Sequence, residues 1–309
     1  MGKDRNLNMG YILTIIGGIC WGFSGSCGQN LFMYKNATSS WLVPIRMTGA
    51  GIILLIFMAF RKKGAVLDIW RDKNDIRRII IFGIFGIFAS QFTYFTTIEY
   101  SNAGIATVLQ YLGPALIMIF VCVSERRNPL KYEIIALVCS IAGVFVIATH
   151  GNFASFAISQ KALFWGILSA VALMVYSVFP EKLIRRHSTP IVVGWGMLIG
   201  GLVSMFMFKP WAMDVIIDSE TILFLIIIVT IGSAMAYTFY MIGVEKIGPA
   251  KASMISCVEP VSATVFSAVW LKSKFVPLDI LGFVLILSAV FIIALNSMKK
   301  EKKYIEDKS

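Results

Sequence analysis

The sequence predicts an all-α integral membrane protein: ten transmembrane helices arranged as two inverted five-helix repeats. Three observations carry that expectation. The composition is 58% hydrophobic and only 15% charged, with a mean hydropathy of +0.79, whereas soluble domains carry about 25% charged residues. The apolar residues gather into ten stretches, each near the roughly 20 residues that a helix needs to cross a bilayer. Sparse polar markers recur at a fixed offset of 146 residues.

In chain order the stretches are 10–32, 41–60, 79–98, 103–123, 132–149, 162–179, 191–208, 222–244, 252–271 and 278–296. Their hydrophobicity is continuous and lacks the alternation of barrel strands, so they read as helices. The first follows Lys3 and Arg5 and could pass for a signal peptide. Its apolar run exceeds 20 residues and ends in no A-x-A-like cleavage site, so it reads as a retained helix. Asn36-Ala37-Thr38 fits a glycosylation sequon. The longest polar stretch, 61–78, reads as a connector, and residues 297–309 as a charged, solvated tail. The expected units are thus 10–149, 162–296 and the tail.

Basic residues set the expected orientation. Of the 28 Lys and Arg, 22 fall in segments on the side of the N-terminus; Lys35, Lys161, Lys209, Lys272 and Lys274 fall on the other. Positive residues stay inside, so both termini are expected to be cytoplasmic in a multi-pass protein of the cell membrane. The same asymmetry accounts for the net charge of +11 without nucleic acid. Cys20, Cys27, Cys122, Cys139 and Cys257 all lie in spans, with no C-x-x-C pair, and read as small buried hydrophobes.

The offset of 146 places Tyr94 on Tyr240, Glu99 on Glu245, Pro114 on Pro260 and Glu133 on Asp279 without a gap. Apolar composition aligns Phe, Ile and Ala by chance, but it does not align Glu, Pro and Tyr in one register. Five spans per unit make the second unit enter the membrane from the opposite side, which is an inverted repeat and an architecture of transporters. The first two spans of each unit show no convincing register.

Thr97-Ile98-Glu99-Tyr100-Ser101-Asn102-Ala103-Gly104-Ile105-Ala106, Leu112-Gly113-Pro114-Ala115, Ser124-Glu125-Arg126 and Ile141-Ala142-Gly143-Val144 together resemble the EamA-type half of the drug/metabolite transporter superfamily. Trp21-Gly22 and Arg46 fall where that pattern has Trp-Gly and Arg, and Glu259-Pro260 repeats it in the second half. Leu271-Lys272-Ser273 departs from the Leu-Gly-Glu usual at the end of the ninth span. The resemblance covers nearly the whole chain. It implies a secondary transporter that moves a small metabolite, an amino acid or related compound, by alternating access and frequently outward. A passive facilitator or channel is the alternative. The expected partners are a small-molecule substrate, the lipid bilayer, protons as a candidate coupling ion and a second copy of the chain in a homodimer, with no cofactor.

Candidate site residues follow from the cost of polarity in a bilayer. An ionised carboxylate near the midplane costs about 2.5 kcal/mol or more, so Glu259 must face a cavity, carry a proton or lock helices through a Ser or Thr. Pro260 removes a donor and frees the carbonyl one turn earlier, near Ser256; Pro114 does the same in the fourth span. Either proline is a packing kink or a hinge. Arg46 sits deep in the second span, where it snorkels outward, attracts an anion or pairs with Glu259. Tyr94 and Tyr240 share helix faces with Gln91 and Tyr237, and both pairs are related by the offset. These faces line a midplane pocket or bond neighbouring helices, with Trp21 alongside. Gly18, Gly22 and Ser26, like Gly196 and Gly200, read as close helix packing.

A membrane enzyme would need convergent chemistry. His150 and His187 are the only histidines and lie in loops on opposite sides. H-E-x-x-H and G-x-S-x-G are both absent from the sequence.

Overall fold

A computed structural model describes residues 2–61, 64–124, 126–149, 158–247, 252, 255–256 and 258–306. Among these the fold is all-helical. The first half holds α1 (Gly2–Tyr34), α2 (Ser39–Arg61), α3 (Lys73–Ile81), α4 (Ala89–Tyr100), α5 (Ala103–Gln110), α6 (Gly113–Ser124) and α7 (Lys131–Thr149). After it come α8 (Gln160–Val178), α9 (Glu181–Arg186), α10 (Thr189–Phe208), α11 (Ser219–Val229), α12 (Ala236–Ile247), α13 (Val258–Val269) and α14 (Pro277–Glu306). Seven segments of the described residues are long and apolar enough to cross a membrane: Asn8–Tyr34, Ser39–Arg61, Lys73–Tyr100, Ala103–Ser124, Gln160–Arg186, Thr189–Ala212 and Ser219–Tyr240. Val258–Val269 and Pro277–Ala289 are shorter apolar helices.

Helix ends follow local chemistry more closely than hydropathy does. α3 begins at Lys73, inside the stretch expected as a connector, because the Asp72 carboxylate accepts from the N–H groups of Asn74 and Asp75. Asp218, 146 residues later, caps α11 by accepting from Thr221 N. Asn102 and Ser159 cap α5 and α8 in the same way. Glu99 caps α2 from a distance: Ser39 N donates to its Oε2 at 2.7 Å. At the other end of the chain, α14 continues through the Lys- and Glu-rich residues 299–306, good helix formers with no breaker among them.

Two irregularities interrupt the helices. π-helical turns at Phe82–Phe88 and Thr230–Met235 join α3 to α4 and α11 to α12. The fourth stretch is broken at Tyr111–Leu112, with Pro114 at the start of α6, where its missing N–H costs nothing. Its side chain is outside the described residues. Pro260 sits at the start of α13, just past Ser256.

The helices pack in pairs. α2 lies along α10, α7 along α14, α1 against α12 and α13, and α4 against α8; α5 touches both α8 and α13. The turn Phe82–Phe88 rests on α10, and Thr230–Met235 rests on α2. Glycine allows the closest of these contacts. A Cβ on Gly51 would meet Leu198 N at 2.6 Å, and one on Gly200 would meet Gly83 O at 2.5 Å. Gly18 and Gly22 likewise bring α1 onto Val258 and Ala263 of α13. The main core runs from Leu31, Leu42 and Met47 to Phe82, Phe95 and Met197. Outside it, Phe60, Phe206 and Val123 belong to a broad exposed apolar belt suited to lipid. Cys20, Cys27 and Cys122 are buried thiols; Cys257 lies outside the described residues.

Loops tie the two halves together at both ends. Lys35, before α2, bridges Asp218 at 2.7 Å and Glu220 at 2.5 Å. These carboxylates hold the Lys35 ammonium above its usual pKa, Asp218 contributing most, and Lys35 in turn holds the Asp218 carboxyl below its own. At the opposite end Arg186 and His187 close on Asp75 at 3.2 and 3.0 Å.

Candidate functional site

Midway along the long helices a cavity of about 200 Å³ opens between the two halves. All seven side chains singled out above line it: Trp21 from α1, Arg46 from α2, Gln91 and Tyr94 from α4, Tyr237 and Tyr240 from α12, and Glu259 from α13. Three contacts across the middle hold this wall. Gln91 Nε2 donates to Tyr237 Oη at 3.0 Å, so two residues related by the 146-residue offset bond one another. The Trp21 ring stands edge-on to Tyr237 at 5.1 Å and tilted to Tyr240 at 5.3 Å, geometries that aromatic quadrupoles favour. Tyr94 both lines the cavity and bonds Thr107 of α5 at 2.8 Å. Pocket lining and interhelical bonding, posed above as alternatives for these residues, therefore coexist.

Arg46 does not snorkel. It is 4% exposed, donates from Nε to Ser233 Oγ at 2.8 Å and from Nη2 to Gly232 O at 3.2 Å, and lies 4.6 Å over the Phe95 ring. It makes no ion pair with Glu259 within 4.0 Å. The guanidinium fork fits the carbonyl and hydroxyl presented by the π-helical turn Thr230–Met235 better than it could reach water past the buried end of α2.

Glu259 takes part in the break before α13. Pro260 has no N–H to give to Ser256 O, and that carbonyl accepts instead from Tyr111 Oη at 3.0 Å and from Glu259 N at 2.9 Å. Tyr111 Oη also reaches Glu259 Oε2 at 3.4 Å. The expected free carbonyl near Ser256 is thus in the cavity wall and is used by a residue of the first half.

Sequence reasoning missed several wall residues. Gln110 and Ser256 line the cavity and are 146 residues apart, so the register could have paired them. Tyr176 and Ser177 of α8 come from a span with no clear register, and nothing in the sequence marks them. Ser177 is the one exposed residue among those that line the cavity. Two turns beyond Trp21 on α1, about 12 Å along the helix, Gln29 joins α1 to α5, α13 and the segment after α13. Gln29 Oε1 accepts from Ala103 N and Ser267 Oγ at 2.9 Å, and its Nε2 donates to Ser273 Oγ at 2.9 Å. Ser273 is part of the Leu271-Lys272-Ser273 departure, which therefore supplies a partner to this junction.

A model of the EamA-like transporter family matches residues 8–149 and again residues 160–295. The chain belongs to the EamA-like transporter family. This EamA-like protein is 36% identical over 302 residues to the uncharacterized inner membrane transporter YicL of Salmonella typhimurium, covering 98% of this chain and 99% of that one. It is 20% identical over 266 residues to the uncharacterized transporter YetK of Bacillus subtilis, covering 83% and 78%. A crystal structure with 17% identity superposes with a TM-score of 0.63 over 96% of this chain and 99% of its own, which shows a shared fold. The EamA-like chain is accordingly a multi-pass membrane protein of a transporter family.

Proposed function

We propose that this EamA-like protein is a secondary transporter that moves a small metabolite, an amino acid or related compound, outward across the cell membrane by alternating access. One observation carries the reading: a cavity of about 200 Å³ is walled by aromatic and polar side chains from both halves, among helices long and apolar enough to cross a membrane. A substrate site between two repeats is what alternating access by rocking one against the other requires. The proposed architecture has ten spans, with α7, α13 and α14 adding to the seven above, in two inverted repeats at 10–149 and 162–296. Two features support it. The family model matches twice. Advancing each helix by five spans also maps the packing pairs onto one another: α1 with α12 becomes α8 with α4, and α2 with α10 and α7 with α14 map onto themselves. With both termini cytoplasmic, Ser177 lies toward the cytoplasmic end of its span, the side from which an exporter would load.

In this reading Trp21, Tyr94, Tyr237 and Tyr240 stack on the substrate, and Gln91 and Arg46 bond it. Glu259 takes up and releases the coupling proton, while the breaks before Pro114 and Pro260 serve as hinges. Purified protein in sealed proteoliposomes tests this. An imposed pH gradient should drive accumulation of at least one member of a metabolite panel. Glu259→Gln should stop gradient-driven accumulation but keep substrate exchange, because the amide retains shape and hydrogen bonding and cannot ionise. Equilibration without accumulation would favour a passive facilitator; normal gradient-driven transport by Glu259→Gln would return that residue to a packing role.

A further inference from the structure

We infer that Arg46 is an anion receptor in the cavity wall and that Ser233, on the π-helical turn Thr230–Met235, is the residue that aims it. The substrate's anionic group, a carboxylate in the simplest case, then docks on the edge of the guanidinium that the protein leaves open. This rests on the proposed transport reading and assigns its substrate a charge.

Hydrogen-bond direction supports the assignment. Ser233 Oγ donates its proton to Ile228 O, five residues back, at 2.9 Å. Its lone pairs are thereby left for Arg46 Nε at 2.8 Å. That i to i−5 reach belongs to the π-helical turn; a regular α-helix would offer the carbonyl of residue 229 instead. Gly232 O fixes the adjacent Nη2 at 3.2 Å, and Phe95 supports the flat face. A guanidinium has five N–H donors. Two are engaged by described residues, so the Nη1 side remains without an acceptor among them. The group is 4% exposed, lines the cavity and has only neutral partners. A buried cation in that condition is costly until an anion arrives, and the guanidinium fork suits a carboxylate. Glu259 shares the cavity without pairing to it within 4.0 Å.

The two halves differ at this point. The offset of 146 sets Gly86 against Gly232 and Ile87 against Ser233. The π-helical turn Phe82–Phe88 therefore presents a methyl-bearing side chain where its counterpart presents a hydroxyl. Only the second of these turns is built to hold a cation.

The test uses matched acids and amides that fit about 200 Å³: hexanoate and hexanamide, benzoate and benzamide, L-leucine and L-leucinamide. Their affinities for purified full-length protein in nanodiscs are compared. Wild type should bind at least one acid tenfold or more tighter than its amide. Ser233→Ala should cut that ratio to threefold or less by weakening the acid, with the amide unchanged within twofold. Arg46→Gln should remove the preference; should it fail to fold, the wild-type ratio and Ser233→Ala still decide. No binding of any acid, a wild-type ratio near one, or an unchanged ratio in Ser233→Ala would overturn the inference. So would Ser233→Ala weakening acid and amide alike, which is the mark of a purely structural serine. Acids that bind with the expected ratio but are not moved in proteoliposomes would instead sink the transport reading and leave the receptor standing.

Discussion

Gln29→Leu should be among the more damaging single changes in this protein. The substitution nearly conserves volume, so packing changes little. It removes an acceptor that two donors share, Ala103 N and Ser267 Oγ, both wholly buried, and it deprives Ser273 of its amide partner. Interhelical hydrogen bonds in a bilayer average about 0.6 kcal/mol, so the three lost bonds set a floor near 2 kcal/mol. Two orphaned buried donors at about 2 kcal/mol each set a ceiling near 4 kcal/mol. Ala103 N is a first-turn donor of α5 with no intrahelical carbonyl to turn to, which favours the upper part of that range. Reversible denaturant unfolding in mixed micelles gives the comparison. A Gln29→Leu loss below about 0.5 kcal/mol would refute the hydrogen-bonded junction described here.

Three further outcomes are expected. In a cysteine-free background, single cysteines at Lys161 and Lys209 should label from outside the cell and those at Arg126 and Arg186 should not; the reverse pattern inverts the topology. Tyr94→Ala and Tyr240→Ala should each weaken substrate binding several-fold, and substrate should shield cysteines at both positions from a thiol reagent; affinities within about twofold of wild type would remove both from the binding site. Asp218→Asn keeps a good helix cap but removes the charge that meets Lys35. The folded-state pKa of Asp218 is depressed, so its contribution is present above the ordinary Asp value of about 4 and fades as pH falls below it. The raised Lys35 pKa keeps the partner charged until pH passes about 10. The melting-temperature gap between wild type and Asp218→Asn should therefore be flat from about pH 5 to 9 and begin to narrow by pH 3, closing only as pH falls through the depressed Asp218 pKa; a gap unchanged at pH 3 would exclude the ion pair as its source.

Much of the site was legible because polarity is rare in this chain. Glu259, Arg46 and the duplicated tyrosines stand out against an apolar background, and all seven chosen side chains meet around one cavity. The same sparseness hid other parts. Tyr111 lies within an ordinary apolar run, and its role depends on a carbonyl that Pro260 frees in the other half. The π-helical turns leave no periodicity to read; glycines at 86 and 232, one offset apart, are their faint trace. Helix ends were misjudged where capping outweighed hydropathy, as at Asp72. Gln29 was passed over because an amide between Gly28 and Asn30 gives no sign of the three partners that it gathers from distant spans.

The bond between Gln91 and Tyr237 bears on how such a protein can evolve. Two identical chains assembling head to tail would carry the same residue at both of these positions, facing a copy of itself. Any site on their shared axis would then be forced to look the same from either side. Once both copies lie on one polypeptide, a mutation in one no longer alters the other. An amide can face a phenol, and a serine that steadies an arginine can face an isoleucine. In the proposed inverted-repeat architecture, joining the two copies in one gene would therefore do more than secure their assembly: it would allow a symmetric scaffold to enclose a chamber whose two sides differ, and so to tell one end of a small molecule from the other.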